Sequence, residues 1–212
     1  MLKMIQNMFV EVMPDLLPII IIITVIACTL RISYLIKYKK KFVLHKEIFN
    51  LIFILYIMCL FEVVTFQDVN FGTSNFIPFK EIFRYNIGSR LFVKNIIGNV
   101  LLFLPYGYFI SFYLKNKKII PSMLLTLVVS TTIEIVQLNI GRTFDVDDII
   151  LNTVGGIIGS GIYIITDSIK ERLPKIFKND TIINILVIIL IIAIIMFSFN
   201  LNILNQFSKI VR

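Results

Sequence analysis

Long apolar stretches separated by short polar segments dominate this sequence. Six of them approach the roughly 20 residues that a helix needs to cross a hydrocarbon core about 30 Å thick. They lie near residues 16–36, 48–66, 95–114, 119–138, 149–166 and 181–203. The pattern predicts an all-α fold, a polytopic membrane helical bundle with about six transmembrane helices.

Polar residues are distributed unevenly among the six stretches. The first and the last are rich in Ile and nearly free of polar groups, whereas the four inner ones hold almost all the polar residues at membrane depth. We therefore divide the chain into three parts. Residues 1–45 form an extra helix and a basic loop, residues 46–166 form a four-helix core, and residues 167–212 form a basic loop and a last extra helix.

Composition and the placement of charge agree with a membrane protein. The chain is 58% hydrophobic and 16% charged, whereas a soluble domain carries roughly 25% charged residues. The net charge of +8 does not indicate nucleic acid, because loops 37–47, 115–118 and 167–180 hold 12 of the 21 Lys and Arg residues. The positive-inside rule places these loops in the cytoplasm. We thus expect a multi-pass protein of the cell membrane with both termini outside the cytoplasm.

The densest group of polar residues lies in EIVQLNIGRTFDVDDIILNTVGGIIG at 134–159. Ionisable side chains at or near the hydrocarbon core are costly to bury and usually have a function. At a rise of about 1.5 Å per residue, Asn99, Glu134 and Asn152 each lie roughly 6–7 Å inside the outer face. A ligand-binding site is therefore predicted there. Its candidate residues are Asn95, Asn99, Glu134, Gln137, Arg142, Asp145, Asp148 and Asn152.

Helical spacing predicts which side chains turn together towards the bundle interior. The sets are Asn95 with Asn99, Asp148 with Asn152, and Ser130, Thr131, Glu134 and Gln137. Gly155 and Gly159 form a pair of small residues that lets a neighbouring helix approach closely. Either Asp147 or Asp148 is expected to cap the fifth helix.

The residue types narrow the chemistry of the predicted site. Glu134 and Asp148 are the candidate catalytic residues, as a base or a metal ligand, and Arg142 can clamp a phosphate. No cofactor is expected, although Asp145, Asp147 and Asp148 are candidate ligands for Mg²⁺ or Ca²⁺. A Ser-His-Asp triad is excluded because no His lies on the predicted outer face. No Cys/His pattern predicts zinc.

Three sequence blocks carry a resemblance to a known family. They are NFIPF at 75–79, NIIGNVLLFLPYG at 95–107 and the block at 134–159. The chain resembles the VanZ-like membrane proteins over about 46–166. The resemblance implies a bacterial membrane module whose named member is associated with lowered susceptibility to the glycopeptide antibiotic teicoplanin.

The expected function is recognition of a lipid-linked or cell-envelope ligand at the outer leaflet, which affects the response to such antibiotics. The alternative is a membrane enzyme that acts on a phospholipid or polyprenyl-phosphate intermediate. A small transporter is disfavoured because polar residues are not expected to continue across the full depth of the bundle. The expected partners are membrane lipids or a lipid-linked envelope ligand, and nucleic acid is not among them.

Overall fold

A computed structural model describes residues 2–65 and 73–193, with side chains for 17–62 and 73–193. The helices are α1 (Leu2–Lys37), α2 (Leu44–Thr65), α3 (Lys80–Arg84), α4 (Arg90–Phe92), α5 (Gly98–Leu114), α6 (Ile119–Asn139), α7 (Val146–Arg172) and α8 (Asp180–Ala193). A π-helical turn, Val93–Ile97, joins α4 to α5, and a 3-10 turn, Lys175–Lys178, precedes α8. The described part of the chain contains no β-strand, only an isolated bridge between Asn75 and Asp145.

In the part of the chain that the structure describes, five helical segments are long and apolar enough to cross a membrane. They are Leu17–Lys37, Leu44–Glu62, Arg90–Leu114, Ile119–Asn139 and Val146–Arg172. The predicted all-α membrane bundle is confirmed, and these segments correspond to the first five predicted spans. The beginning of the sixth, 181–203, is helical in α8, and its residues from 194 onward lie outside the described residues.

Glycines allow α5 and α7 to form the most extensive contact of the bundle. A Cβ added to Gly159 would lie 2.0 Å from the carbonyl oxygen of Leu104, and one added to Gly155 would lie 2.3 Å from that of Val100. Only residues without a side chain permit the two backbones to approach this closely. The close approach predicted at Gly155 and Gly159 is confirmed, and its partner is α5.

Aromatic side chains attach α2 to the other face of α5. The rings of Phe49 and Phe53 each lie 4.7 Å from the ring of Phe109, and the Tyr56 hydroxyl donates to the carbonyl of Leu102 at 2.8 Å. In contrast, α1 packs on α2 and leaves most of its described apolar side chains exposed. A helix with that pattern faces lipid, so α2, α5, α6 and α7 form the packed part of the bundle.

The two ends of the bundle differ in composition. We call the end formed by residues 37–47, 115–118 and 167–180 the basic end, and the end formed by residues 73–90 and 139–148 the polar end. Helix α7 begins at the polar end, where the side chain of Asp145 accepts a hydrogen bond from the backbone N–H of Asp147 at 2.9 Å. The prediction that Asp147 or Asp148 caps this helix was wrong, because the helix begins at Val146 instead of near residue 149.

Candidate functional site

Side chains from three helices meet at the polar end, in a group we call the polar cluster. Asn99 on α5 donates its side-chain amide to the carboxylate of Asp148 on α7. One turn further along α7, Asn152 donates to the hydroxyl of Ser130 on α6 at 2.9 Å. The polar cluster consists of Asn99, Ser130, Glu134, Arg142, Asp148 and Asn152.

Glu134 and Arg142 bring a carboxyl and a guanidinium into the polar cluster. Glu134 is 2% exposed, and its Oε2 accepts the backbone N–H of Asp145 at 2.9 Å. Arg142 is half-buried and interacts electrostatically with both Glu134 and Asp148. Two carboxyls and one guanidinium therefore share a small region where the three helices end.

A tight turn holds Arg142 over the end of α6. The chain reverses at Gly141, whose φ of +85° strains any residue with a side chain. The backbone N–H of Arg142 then donates to the carbonyl of Gln137 at 2.9 Å. Gln137 is itself 7% exposed. The predicted site residue Gln137 thus lies directly beneath the loop that carries Arg142.

Asn152 contributes an acceptor that the described side chains do not satisfy. Its residue exposure is 4%, and its Oδ1 is buried without a hydrogen-bond partner among the described residues. Leaving a buried acceptor unpaired costs about 1–3 kcal/mol. This oxygen is therefore an acceptor at the level of Ser130 for which the described residues supply no donor.

Asn75 ties the segment before α3 to the start of α7. Its backbone N–H donates to the carbonyl of Phe144 at 2.8 Å, and its own carbonyl accepts from Val146 at 3.0 Å. Its side chain donates to the Asp145 carboxylate at 2.9 Å. Burial raises the pKa of Asp145, and the hydrogen bond from Asn75 opposes that shift. Asn75 was not among the predicted site residues, and nothing in the sequence pairs residues 70 positions apart.

Asp147 also binds the segment around the start of α3 to the first turn of α7. Its carboxylate is 1% exposed and accepts the backbone N–H groups of Phe79, of Glu81 at 2.7 Å and of Ile82 at 3.2 Å. Three amides at the start of a helical turn are a strong binding site for a carboxylate. The role of Asp147 is therefore structural, which sequence reasoning missed.

Asn95 lies outside the polar cluster. Its amide donates to the hydroxyl of Tyr85 at 2.8 Å, whereas Asn99 donates to Asp148. The π-helical turn Val93–Ile97, which contains Asn95, lies between these two contacts. The two asparagines therefore have different partners, and a ligand-binding role for Asn95 stays a prediction.

The candidate metal ligands are not assembled. Within residues 17–62 and 73–193, whose side chains the structure describes, no group of three or more His, Cys, Asp or Glu residues is arranged to hold a metal ion. Asp145 binds Asn75, Asp147 binds backbone amides, and Asp148 binds Asn99. The three carboxylates predicted as possible ligands therefore each have their own protein partner.

Buried polar side chains continue along α6 below the polar cluster. Ser130, Thr126 and Ser122 are each at most 1% exposed and follow Glu134 at intervals of four residues. Thr131, predicted on this stripe, instead donates to the carbonyl of its own helix at Leu127. The expectation that polar residues do not continue across the full depth of the bundle was wrong, since Ser122 lies near the basic end of α6.

This deeper stripe lies at a helix contact. A Cβ on Gly156 of α7 would lie 2.3 Å from the Thr126 hydroxyl oxygen, and one on Gly107 of α5 would lie 2.0 Å from the Gly156 carbonyl. Ser122 donates to the Gly107 carbonyl at 3.3 Å. Small polar side chains here satisfy backbone groups where α5, α6 and α7 touch, so they pack the bundle closely.

Residues 48–167 match the model of the VanZ/LLP1 family. This match covers more than half of the chain. The chain belongs to the VanZ/LLP1 family. The matched range contains every residue of the polar cluster and of the Asn75 and Asp147 contacts, so the VanZ-like resemblance is confirmed over the region that builds the polar end.

One curated relative extends this VanZ/LLP1 assignment. The chain is 33% identical to "Protein VanZ" of Enterococcus faecium over 112 residues, which are 52% of this chain and 66% of that protein. The alignment therefore spans slightly less than two thirds of the relative's length. No solved structure is significantly similar to the chain.

Proposed function

We propose that this VanZ/LLP1 protein recognises an anionic lipid-linked or cell-envelope ligand at its polar end. We further propose that recognition lowers susceptibility to glycopeptide antibiotics such as teicoplanin. The observation that carries the proposal is the electrostatic interaction of Arg142 with Glu134 and Asp148 where three helices end. Membership of the VanZ/LLP1 family supports the antibiotic part.

The polar cluster suits a ligand that carries an anion beside a hydrogen-bond donor. The guanidinium of Arg142 can bind a phosphate or carboxylate through two parallel hydrogen bonds. The buried Oδ1 of Asn152 needs a donor, which a hydroxyl or amide of the same ligand can supply. A lipid-linked phosphate next to a sugar has this combination of groups.

We infer that the polar end faces the outside of the cell membrane, with both termini on the same side. The basic loops at the opposite end support this orientation through the positive-inside rule. In a chain with Cys28→Ser and Cys59→Ser, cysteines replacing Ser74 and Thr143 should react with an impermeant reagent in intact cells. A cysteine replacing Asn116 should not react. Labelling of Asn116→Cys alone would place the polar end in the cytoplasm.

A second candidate function is an enzyme acting on a phospholipid or polyprenyl-phosphate intermediate. It is favoured by the electrostatic interaction between Glu134 and Asp148, since two carboxyls in unlike surroundings can serve as acid and base. The single histidine, His45, is bound to Asn184 at the basic end. Any proton transfer at the polar cluster would therefore fall to Glu134 or Asp148.

Native mass spectrometry of the purified protein tests the leading proposal by detecting co-purified lipid. Arg142→Lys keeps the charge but loses the two-bond geometry, so lipid retention and the teicoplanin phenotype should fall roughly tenfold. Arg172→Lys, at the exposed basic end, is the matched control. Full retention of lipid and phenotype in Arg142→Lys and Arg142→Ala would exclude the anion site.

Glu134→Gln separates recognition from catalysis. The amide keeps an acceptor for the backbone N–H of Asp145 but cannot ionise. An enzyme that uses Glu134 as base would lose product formation while retaining lipid. A recognition site that needs the charge would lose the lipid itself. Unchanged lipid binding and phenotype in a folded Glu134→Gln protein would leave Glu134 with a structural role only.

A further inference from the structure

A second surface at the polar end lies apart from the polar cluster, in residues 76–91. Its apolar side chains are unusually exposed: Ile87 is 91% exposed, Phe83 84% and Phe76 68%. None of these three residues belongs to a membrane-spanning segment. Large apolar side chains in such numbers on a connecting segment mark a surface that contacts something other than water.

Cations alternate with these apolar side chains. The exposed basic residues are Lys80, Arg84 and Arg90 within the segment and Lys94 just after it. Its one acidic residue, Glu81, has a side chain only 18% exposed and is 3.1 Å from the guanidinium of Arg84, which itself stays 70% exposed. The outward face therefore combines aromatic and aliphatic groups with positive charge.

The segment is held firmly in the form that exposes these groups. Phe79 has a φ of 68°, a left-handed conformation that a bulky residue rarely adopts. The bond from its backbone N–H to the buried Asp147 maintains that conformation. Asn75 fixes the preceding chain to Asp145. Phe83 and Ile87 are thus displayed by a supported backbone.

The position of the segment fits the surface of a lipid leaflet. It continues directly into the spanning segment Arg90–Leu114, and Asp147 binds it within the first turn of the spanning helix α7. It therefore lies at the level where spans enter the hydrocarbon. Aromatic and basic residues are enriched at that level because they contact acyl chains and headgroups together.

We propose that residues 76–91 form an interfacial anchor that binds the surface of an anionic lipid leaflet. Phe83 and Ile87 insert between the headgroups, and Lys80 and Arg84 contact the lipid phosphates. The anchor is independent of ligand recognition by the polar cluster.

The absence of tryptophan from the sequence allows a direct test on the full-length protein. Phe83→Trp places a single fluorophore in the anchor, and Leu101→Trp places one on the lipid-facing side of α5, where Leu101 is 52% exposed. In vesicles containing lipids brominated near the headgroup, both should be quenched. Bromines deep in the acyl chains should quench Leu101→Trp more strongly than Phe83→Trp.

The preference for anionic lipid is tested with the same fluorophore. Brominated phosphatidylglycerol should quench Phe83→Trp more strongly than brominated phosphatidylcholine. Adding Lys80→Gln or Arg84→Gln should lower that preference by up to about fivefold for each charge removed. Lys170→Gln, at an exposed site of the basic end, is the matched control and should leave the preference unchanged.

Two results would overturn the anchor. The first is a Phe83→Trp protein that no brominated lipid quenches, or that both lipids quench equally, while Leu101→Trp behaves as expected. The second is efficient disulfide dimer formation through Ile87→Cys in a chain with Cys28→Ser and Cys59→Ser, which would make this face an interface between copies. Quenching with a preference for phosphatidylglycerol and no dimer supports it.

Discussion

The two ends of the bundle hold their charges in different ways. At the basic end, Lys117 lies 2.7 Å from Glu171 and 3.3 Å from Asp167, with its own side chain 45% exposed. At the polar end, Glu134 and Asp147 are 2% and 1% exposed, and both accept hydrogen bonds from backbone amides. Side chains pair with side chains at one end, and carboxylates hold the backbone at the other.

This difference indicates where the fold depends on particular side chains and where it tolerates their substitution. An exposed ion pair contributes little, because water and salt screen it and two long side chains must be ordered. A buried carboxylate that accepts hydrogen bonds from several amides fixes a local conformation. Removing it leaves those amides without an acceptor. We therefore expect substitutions at the polar end to be costly and matched substitutions at the basic end to be mild.

Asp147→Ala should have the largest effect. It leaves the backbone amides of Phe79, Glu81 and Ile82 without their acceptor, so the free energy of unfolding should fall by about 3 kcal/mol or more. Reversible unfolding in detergent micelles measures this loss. Asp167→Ala, at the basic end, is the control and should lose far less. Equal losses would remove the contrast between the two ends.

The membrane-spanning helices could be predicted from the sequence because long apolar runs are a local signal. The close helix contact at Gly155 and Gly159 could be predicted for the same reason, because the spacing of small residues is also local. The meeting of polar side chains of α5, α6 and α7 at one end of the bundle was also predictable, since the rise per residue is nearly constant. The bonds of Asn99 to Asp148 and of Asn152 to Ser130 place Asn152 one helical turn deeper than the common level predicted for it with Asn99 and Glu134.

The contacts of Asp147 and Asn75 could not be predicted from the sequence. They join a segment to the start of α7 across about 70 residues through backbone amides, which carry no sequence signature. The π-helical turn Val93–Ile97 also has no signature in the sequence. Capping by Asp145 was missed because DVDD offers three acids within the same short stretch.

Gly159→Ala should have the next largest effect and would show how the tight packing of α7 is distributed. Its Cβ would lie 2.0 Å from the Leu104 carbonyl, whereas a Cβ on Gly161, nearer the basic end, meets nothing within 4 Å. Overpacking of this kind costs about 1–3 kcal/mol. Gly161→Ala should be neutral or slightly stabilising. Similar unfolding free energies for the two variants would contradict this account.

A smaller effect is expected from pH at the polar end. Burial raises the pKa of Asp145 in the folded protein, so the folded state holds that proton more tightly than the unfolded state. The contribution is fully present below the ordinary aspartate pKa of about 3.9 and is lost as pH rises through the folded value.

Asp145→Asn removes this titration while keeping a residue that can cap α7. The stability of the natural chain relative to Asp145→Asn should therefore rise as the pH is lowered from neutral towards 4. Unfolding measured in parallel across that range tests the sign. A difference that is constant with pH, or that falls on acidification, would show that burial does not govern Asp145.

The smallest effect is expected at Lys117. Its hydrogen bond to Glu171, with a further one to Asp167, raises the pKa of Lys117. Any stabilisation is therefore present below the ordinary lysine pKa of about 10.4 and is lost only as pH rises through the folded value.

Because the amine is exposed, Lys117→Gln should leave the melting temperature at pH 7 unchanged. In 1 M salt, the melting temperatures of Lys117→Gln and the natural chain should also be equal. Thermal unfolding at low and high salt measures both. A large, salt-sensitive loss would mean that the ion pairs of the basic end fix α7 as firmly as Asp147 fixes the polar end, and the two ends would then differ in charge alone.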